Sequence, residues 1–417
     1  MTISVPRRQT ACRHCSSPLS TVFADLGATP VSNDYLTEET RFEGERFYPL
    51  KAFVCDECHL VQLEDFRRAD DLFREDYAYF SSISTSWLAH AKIFSDAMIS
   101  RLGLGADSTV VEVASNDGYL LQYFQASGLR VLGVEPCRSV ADFAINEKGI
   151  PTRIEFFGVE TAKKLVAEGF QADLTAANNV LAHVPDINDF VSGFREILKP
   201  DGVACFEFPH LFQLINQNQF DTIYHEHFSY LSLLSVQRFF AANGLTVFDV
   251  EKIKTHGGSL RVFACKAGAK WEVAPSVADI IEEERQAGLD RPEVYTSFGE
   301  KVRETKRSLL ELLISLKRDG KVIVGYGAPA KGNTLLNYCG IGSDFIEFTV
   351  DRSPQKQGMY LPGTRLAIKA PEAIDEAKPD FVLILPWNIK DEVVEQMSHI
   401  RDWGGQFILP IPKAMII

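Results

Sequence analysis

Four cysteines limit this chain more than any other feature. Cys12 and Cys15 form one C-x-x-C pair in "CRHCSS", and Cys55 and Cys58 form another in "CDECHL". A tight turn lets both sulfurs of a pair face one point. Two such turns complete a tetrahedral thiolate site suited to Zn2+. The gap between the pairs is longer than in a compact finger, and the apolar run "FVCDECHLVQL" predicts a small sheet to bridge it. Four protein ligands leave no open position, so the expected metal is structural. His14 and His59 flank the ligands and read as supporting or solvated groups. Neither pair sits between a strand and a helix, which disfavours a redox role. The other explanation is two unlinked pairs of reduced thiols.

Eight cysteines read as thiols or metal ligands fit a cytoplasmic protein. The opening "MTISVPRRQTACRHC" lacks the apolar core of a signal peptide, and no apolar run approaches the roughly 20 residues that span a bilayer. A net charge of −13 argues against nucleic acid or an anionic membrane as partner, because both select a basic surface. Any anionic ligand must be held by local donors.

The length of 417 residues allows several domains. From Thr109, "TVVEVASNDGYLLQYF" predicts a strand, Val110 to Val113, a polar turn, Ala114 to Gly118, and an amphipathic helix from Tyr119. This is how a doubly wound α/β sheet begins, and ligands sit at the carboxyl end of such a strand. The next strand, "LRVLGVEP", ends in Glu135, where an acid can accept hydrogen bonds from ribose hydroxyls. Dinucleotide folds want G-x-G-x-x-G in this turn, but it holds one glycine, Gly118. A ligand without phosphates fits better, and S-adenosylmethionine (SAM) is one. The expected SAM residues are Glu112, Ala114, Asn116, Asp117, Gly118, Glu135 and Asn178; a carboxylate near the turn would pair with the ligand's amino group. A later strand, "ADLTAANNVLAHV", brings Asn178, Asn179 and His183 to the same edge.

Amphipathic, charged helices over 273–318 read as a solvated connector with one packed stripe. A second strand, glycine turn and helix follow in "KVIVGYGAPAKGNTLLNYC". Gly325, Gly327 and Ala330 match G-x-G-x-x-A, and Asp351 ends the next strand. That supports an alternative function, a nicotinamide-dependent nucleotide-sugar dehydrogenase or reductase. Pro329 and Lys331 suit a nucleotide diphosphate at the helix N-terminus equally well. Gln357 and Trp387 are further candidates for contact with base or sugar.

The densest chemistry lies in "DTIYHEHFSY", Asp221 to Tyr230. Histidine is the side chain best matched to proton transfer near pH 7, and from the residues alone either His225 or His227 could be a base. An H-x-H metal site and a polar packing seam are the competing explanations. A non-catalytic scaffold is disfavoured, because unpaired buried polar groups are costly.

The four-cysteine block, "VVEVASNDGYLL", "LAHV", "YHEHFSY", "HGGSLR" and "GYGAPAKGNTLLN", in this order and over nearly the whole chain, resemble the sugar C-methyltransferases of deoxysugar pathways. The resemblance implies an α/β protein in three parts: a zinc-binding domain over 1–75, a Rossmann-like SAM methyltransferase domain over 76–272 and, after the 273–318 connector, a second Rossmann-like domain over 319–417. It implies a nucleotide-diphosphate-linked 4-keto sugar as substrate, methylated at C3, although C5 also flanks the ketone. Such a reaction needs a base beside the carbon and donors at the carbonyl oxygen. The resemblance places the base at His227, with Tyr224 and Glu226 beside it, and adds Tyr79, Asn179 and His183. Tyr224 would donate to the enolate; Glu226 would orient a polar partner or hold a sugar hydroxyl. In the last domain Gly327, Ala328 and Lys331 would help hold the substrate nucleotide. Arg261 in "HGGSLR" reads as structural. A monomer is compatible with all of this.

Overall fold

The computed structural model describes residues 11–66 and 80–417. Tyr79, and its neighbour Tyr77, lie outside the described residues.

Three sheets carry the described chain. Strands β1 (Thr21–Thr29), β2 (Tyr48–Val54) and β3 (Val61–Leu63) form an antiparallel meander. Then come β4 (Thr109–Val113), β5 (Arg130–Val134), β6 (Thr152–Arg153), β7 (Ala172–Asn178) and β8 (Leu198–Pro209), parallel to one another. β9 (Ser229–Tyr230) leaves this succession and pairs with β3, Val61 against Tyr230. The loop holding His225 and His227 is therefore anchored on the N-terminal sheet. β10 (Leu245–Ile253) and β11 (Ser259–Lys266) return to the central sheet in antiparallel sense, giving the order β10-β11-β8-β7-β4-β5-β6.

All five residues of β4 are buried, as a strand covered by helices on both faces requires. Chain direction across the sheet reverses at β4, between β5 and β7. Such a switch point opens a crevice at the strands' carboxyl ends. The last sheet repeats the plan. β12 (Ile323–Tyr326) lies between β13 (Thr349–Val350) and β15 (Phe381–Ile384), β14 (Ile368–Lys369) and β16 (Gln406–Leu409) flank them, and antiparallel β17 (Met415–Ile416) closes the edge.

The two connecting helices do more than span a gap. Pro292–Arg318 buries Tyr295, Phe298, Val302, Leu309, Leu313 and Leu316 along one stripe, and Phe298 stacks on Phe23 of β1 at 4.5 Å. Each such apolar side chain contributes about 1.5–3 kcal/mol relative to exposure. Pro275–Gln286 inserts Glu284, fully buried, beneath the N-terminus of helix Leu233–Ala242. Its carboxylate accepts from the Leu233 and Leu234 amides at 2.6 and 2.8 Å and faces His210 Nε2 at 2.7 Å. Negative charge at a helix N-terminus is stabilising, so Glu284 fastens the connector to the central domain. Among the described residues no helix is long and apolar enough to cross a membrane.

Candidate active site

The two cysteine pairs meet. The sulfurs of Cys12, Cys15, Cys55 and Cys58 lie within 4.8 Å of one another, with Cys12–Cys58 at 3.5 Å and Cys15–Cys55 at 3.4 Å. A tetrahedral zinc with Zn–S bonds of about 2.3 Å spaces its sulfurs about 3.8 Å apart, so this donor set fits Zn2+. Hydrogen bonds from Cys55 and Cys58 hold the Cys12 thiol well below its usual range, and Gln62 Nε2 donates to its sulfur at 3.2 Å. His14 is turned to Asn188 Oδ1 (2.9 Å) and His59 stacks along Tyr295, so neither belongs to the cluster. The four thiolates hold a structural zinc.

The turn after β4 needs left-handed backbone at Ala114, Asn116 and Gly118. At Gly118 a Cβ would also meet Ile150 at 3.0 Å, so glycine is required twice over. Asn116 Oδ1 accepts from the Ser81 amide at 2.9 Å, and Asp117 Oδ2 from the Ser82 amide at 3.1 Å. Lys148 bonds to the Ser82 hydroxyl and stands 3.7 Å from Asp117 Oδ1. Glu135 accepts from the amides of Asn116 (2.9 Å) and Cys137 (2.8 Å), which fixes its carboxylate at the end of β5. Burial raises its pKa. Glu112 is buried deeper still, which pushes its pKa far up, and the Tyr119 hydroxyl beside it opposes that shift. Asn178 Oδ1 and Asn179 Oδ1 are buried without partners across the switch point, and Asn179 is held in left-handed conformation with its amide on the Glu207 carbonyl at 2.7 Å. Buried carboxylates and unpaired carboxamide oxygens at a strand-end crevice suit a ligand carrying a sulfonium and an ammonium. SAM is therefore the donor these residues fit.

The histidine loop meets His183, just beyond the carboxyl end of β7, and distinguishes its two histidines. His225 is 5% exposed, packs against Tyr48 and donates through Nε2 to the Pro49 carbonyl at 3.1 Å. His227 keeps part of its surface exposed. Its Nδ1 lies 2.9 Å from the Thr222 carbonyl, which can only accept, so the proton sits on Nδ1. Nε2 is then bare and accepts from the Tyr224 hydroxyl at 2.8 Å. Burial, then His183, push the His227 pKa well below the ordinary value, so the ring is neutral near pH 7. The His183 ring centroid is 4.6 Å away; its Nδ1 donates to the Glu226 carbonyl at 2.7 Å, and burial lowers its pKa to about 4. Glu226 is 4% exposed. Burial raises its pKa to about 7, Asn33 Nδ2 donates to Oε1 at 3.0 Å, and Oε2 has no partner.

The C-terminal glycine turn faces this cluster. Gly327 has φ +88° and a Cβ there would meet Pro386 at 2.6 Å. The Ala328 amide donates to Asp351 Oδ2 at 2.7 Å and the Ser353 amide to Oδ1 at 2.8 Å. Lys331 stands over the Trp387 ring at 4.8 Å and bonds to Asn388; burial lowers its pKa, and its charge acts on both Asp221 and His227. Gln357 donates to the Asp351 carbonyl at 2.9 Å.

Sequence reasoning passed over several of these groups. Asp221, fully buried with its pKa raised by burial to about 6, accepts from Trp387 Nε1 at 2.6 Å. Glu207 is paired with His90 (2.8 Å) and Arg261 (2.7 Å); burial resists its ionisation, but the hydrogen bond to His90 and the Arg261 guanidinium leave its pKa below the ordinary value. Only the acid opening "DTIYHEHFSY" carried a signal; the others depend on pairings remote in sequence.

Residues 12–73 match the family of zinc binding domains, 89–250 a methyltransferase domain, and 254–412 the C-methyltransferase C-terminal domain. C-methyltransferase NovU of Streptomyces niveus is 38% identical over 406 residues, covering 97% of this chain and 96% of that one. Among solved structures, a SAM-dependent methyltransferase from Anabaena variabilis aligns with TM-score 0.40 and 12% identity over 48% of this chain and 96% of its own. The PH0226 protein of Pyrococcus horikoshii aligns with TM-score 0.37 and 16% identity over 45% and 94%. Likeness at that level adds nothing to the near full-length match. The chain belongs to the C-methyltransferase family and is a SAM-dependent methyltransferase with a structural zinc domain.

Proposed function

We propose that the protein methylates the carbon beside the ketone of a nucleotide-diphosphate-linked 4-keto deoxysugar, at C3. The observation that carries this reading is His227: a neutral imidazole, its proton fixed on Nδ1 by Thr222, its Nε2 bare toward a partly exposed tyrosine hydroxyl. That is a general base with a donor beside it. Carbon becomes nucleophilic only after such a base removes a proton next to a carbonyl. Nε2 takes the C3 proton, and the Tyr224 hydroxyl turns its hydrogen to the enolate oxygen. Bound SAM supplies an electrophilic methyl group on a sulfonium. His183, neutral at its low pKa, adds no positive charge that would stop His227 from accepting the proton. Asn179 and His183 line the mouth of the sheet. Gly327, Ala328 and Lys331 hold the diphosphate, with Lys331 as the cation facing the crevice.

The dehydrogenase alternative loses its footing in this family. The test is direct: a nucleoside-diphosphate 4-keto-6-deoxyhexose and SAM should give a product heavier by one methylene, with the new methyl on C3 by NMR. A methyl at C5 would overturn the regiochemistry; transfer to oxygen or nitrogen would overturn the enolate mechanism.

A further inference from the structure

Among the described residues, one chain of contacts links all three parts of the protein, and the zinc-binding domain supplies its middle. Ser32 to Tyr35 passes between the histidine loop and helix Ala330–Cys339. The Ser32 carbonyl accepts from Asn333 Nδ2 at 2.6 Å, while Thr334 Oγ1 of the same helix donates to the Ile223 carbonyl at 3.1 Å. The next residue, Asn33, donates through Nδ2 to Glu226 Oε1 at 3.0 Å. Its Oδ1 lies 3.4 Å from the Tyr35 hydroxyl, whose main acceptor is the Ala328 carbonyl at 2.6 Å. The two partners orient the Asn33 amide: its NH2 must face the carboxylate and its oxygen the phenol. Asn33 is itself exposed, whereas Glu226 beneath it is buried.

We infer that Asn33 is a positioning residue, contributed by the zinc-binding domain, that orients and ionises Glu226 for the reaction, and that Tyr35 ties this setting to the Gly327–Pro329 turn. The inference rests on the proposed function for its catalytic consequence and on geometry for the rest. Burial holds this carboxyl up, and three hydrogen bonds favour its charged form: first that of its own backbone amide, then that of the Asn33 side chain at 3.0 Å, then that of the Asn33 backbone; of these only the Asn33 side chain can be removed by substitution without changing the backbone. The other groups facing it are Asp34, which opposes that charge, the phenols of Tyr35 and Tyr230, and His183, which bonds to its backbone carbonyl.

The experiment titrates Glu226 in the substrate-free protein loaded with S-adenosylhomocysteine. Infrared pH-difference spectra show its carboxyl band, assigned by its disappearance in Glu226→Gln. Asn33→Ala should raise the midpoint by about one pH unit, and Asn33→Asp, which adds a second negative charge, by more. Asn33→Ser, which retains a donor, should fall between wild type and Asn33→Ala. In methyl-transfer assays the acid limb of kcat should move up with the midpoint, while KM for SAM stays unchanged. An unmoved midpoint in Asn33→Ala overturns the inference, as does a moved midpoint with an unmoved kcat profile. If wild-type protein methylates no keto sugar while the midpoint still shifts, the proposed function fails and the Asn33–Glu226 linkage stands.

Discussion

Replacing His227 by asparagine separates proton removal from every other part of the reaction. The ring has three attachments: Nδ1–H to Thr222, Nε2 to the Tyr224 hydroxyl, and edge contact with His183. Asparagine is shorter and cannot reach both polar partners, so the Tyr224 hydroxyl loses its acceptor. Because the site is partly open to solvent, this costs about 1 kcal/mol of stability, the ordinary net worth of a hydrogen bond. The loss in turnover is larger. Removing a general base typically slows a reaction about 10²–10⁴-fold, or roughly 3–5 kcal/mol of barrier. Glu112, Asp117 and Glu135 lie on other elements, so SAM affinity should change little. The assay uses S-adenosylhomocysteine in place of the donor and follows exchange of the proton beside the ketone in D2O by NMR. Wild-type exchange should vanish in His227→Asn, and kcat for methylation should fall while KM for SAM holds. Undiminished exchange and methylation in the variant would refute the argument and move the base elsewhere. His183 would be the next candidate, since Nδ1–H is committed to a carbonyl and Nε2 is the basic nitrogen.

Three further predictions follow from other parts of the molecule. Cys55→Ser should lower zinc content from about one per chain and reduce thermal stability; a zinc-free variant as stable as wild type would contradict a structural metal. Glu135→Ala should weaken SAM binding by about 1–3 kcal/mol in calorimetry, since it removes the carboxylate that fixes the turn amide of Asn116 and would meet the ribose; unchanged affinity would remove Glu135 from the site. Glu226→Gln should alter the pH dependence of stability. Its carboxyl is raised from 4.5 to about 7 on folding, so it favours the folded state fully below 4.5 and loses that contribution as pH rises through 7. The melting temperature of the variant relative to wild type should therefore rise from pH 5 to pH 8, by at most about 3 kcal/mol of stability; a flat difference would mean the carboxyl is not buried in solution.

What the sequence made legible was local chemistry. A C-x-x-C pair names its metal because both ligands lie within one turn, and two pairs have few other uses in a thiol form. The strand, turn and helix beginning at Thr109 are readable because periodicity and the single glycine are contiguous; the strand starts at Thr109, one residue before the expected Val110, and the helix at Leu121, two residues after the expected Tyr119. The choice between His225 and His227 was not readable. The two are separated by one residue, and which one faces the crevice depends on where the loop goes. β9 pairing with β3 sets that path, and it joins segments more than 160 residues apart. The connector reads as solvated with one packed stripe, and helix Pro292–Arg318 buries such a stripe. Glu284 is the exception, a charged residue drawn inside by two amides and His210 that no helical pattern reveals.

The two similar sheets differ in the charge they present at the turn after the first strand, which is what the proposed division between a SAM site and a nucleotide site requires. In both, the acid ending the second strand accepts an amide from the turn after the first strand and another from two residues beyond itself: Asn116 and Cys137 for Glu135, Ala328 and Ser353 for Asp351. The backbone plan is thus shared, and the difference lies in what surrounds it. Around the first turn stand Glu112, Asp117 and the open oxygens of Asn178 and Asn179, an acceptor-rich wall that favours a cation. Beside the second stand Lys331 and Lys356, the latter donating to Ala328 at 2.9 Å, which favour an anion. A chain with net charge −13 can hold a nucleotide diphosphate only where such local cations outweigh the overall field. The histidine loop, fixed on the zinc sheet and tied through Asp221 to Trp387, lies where a cationic donor and an anionic acceptor would meet.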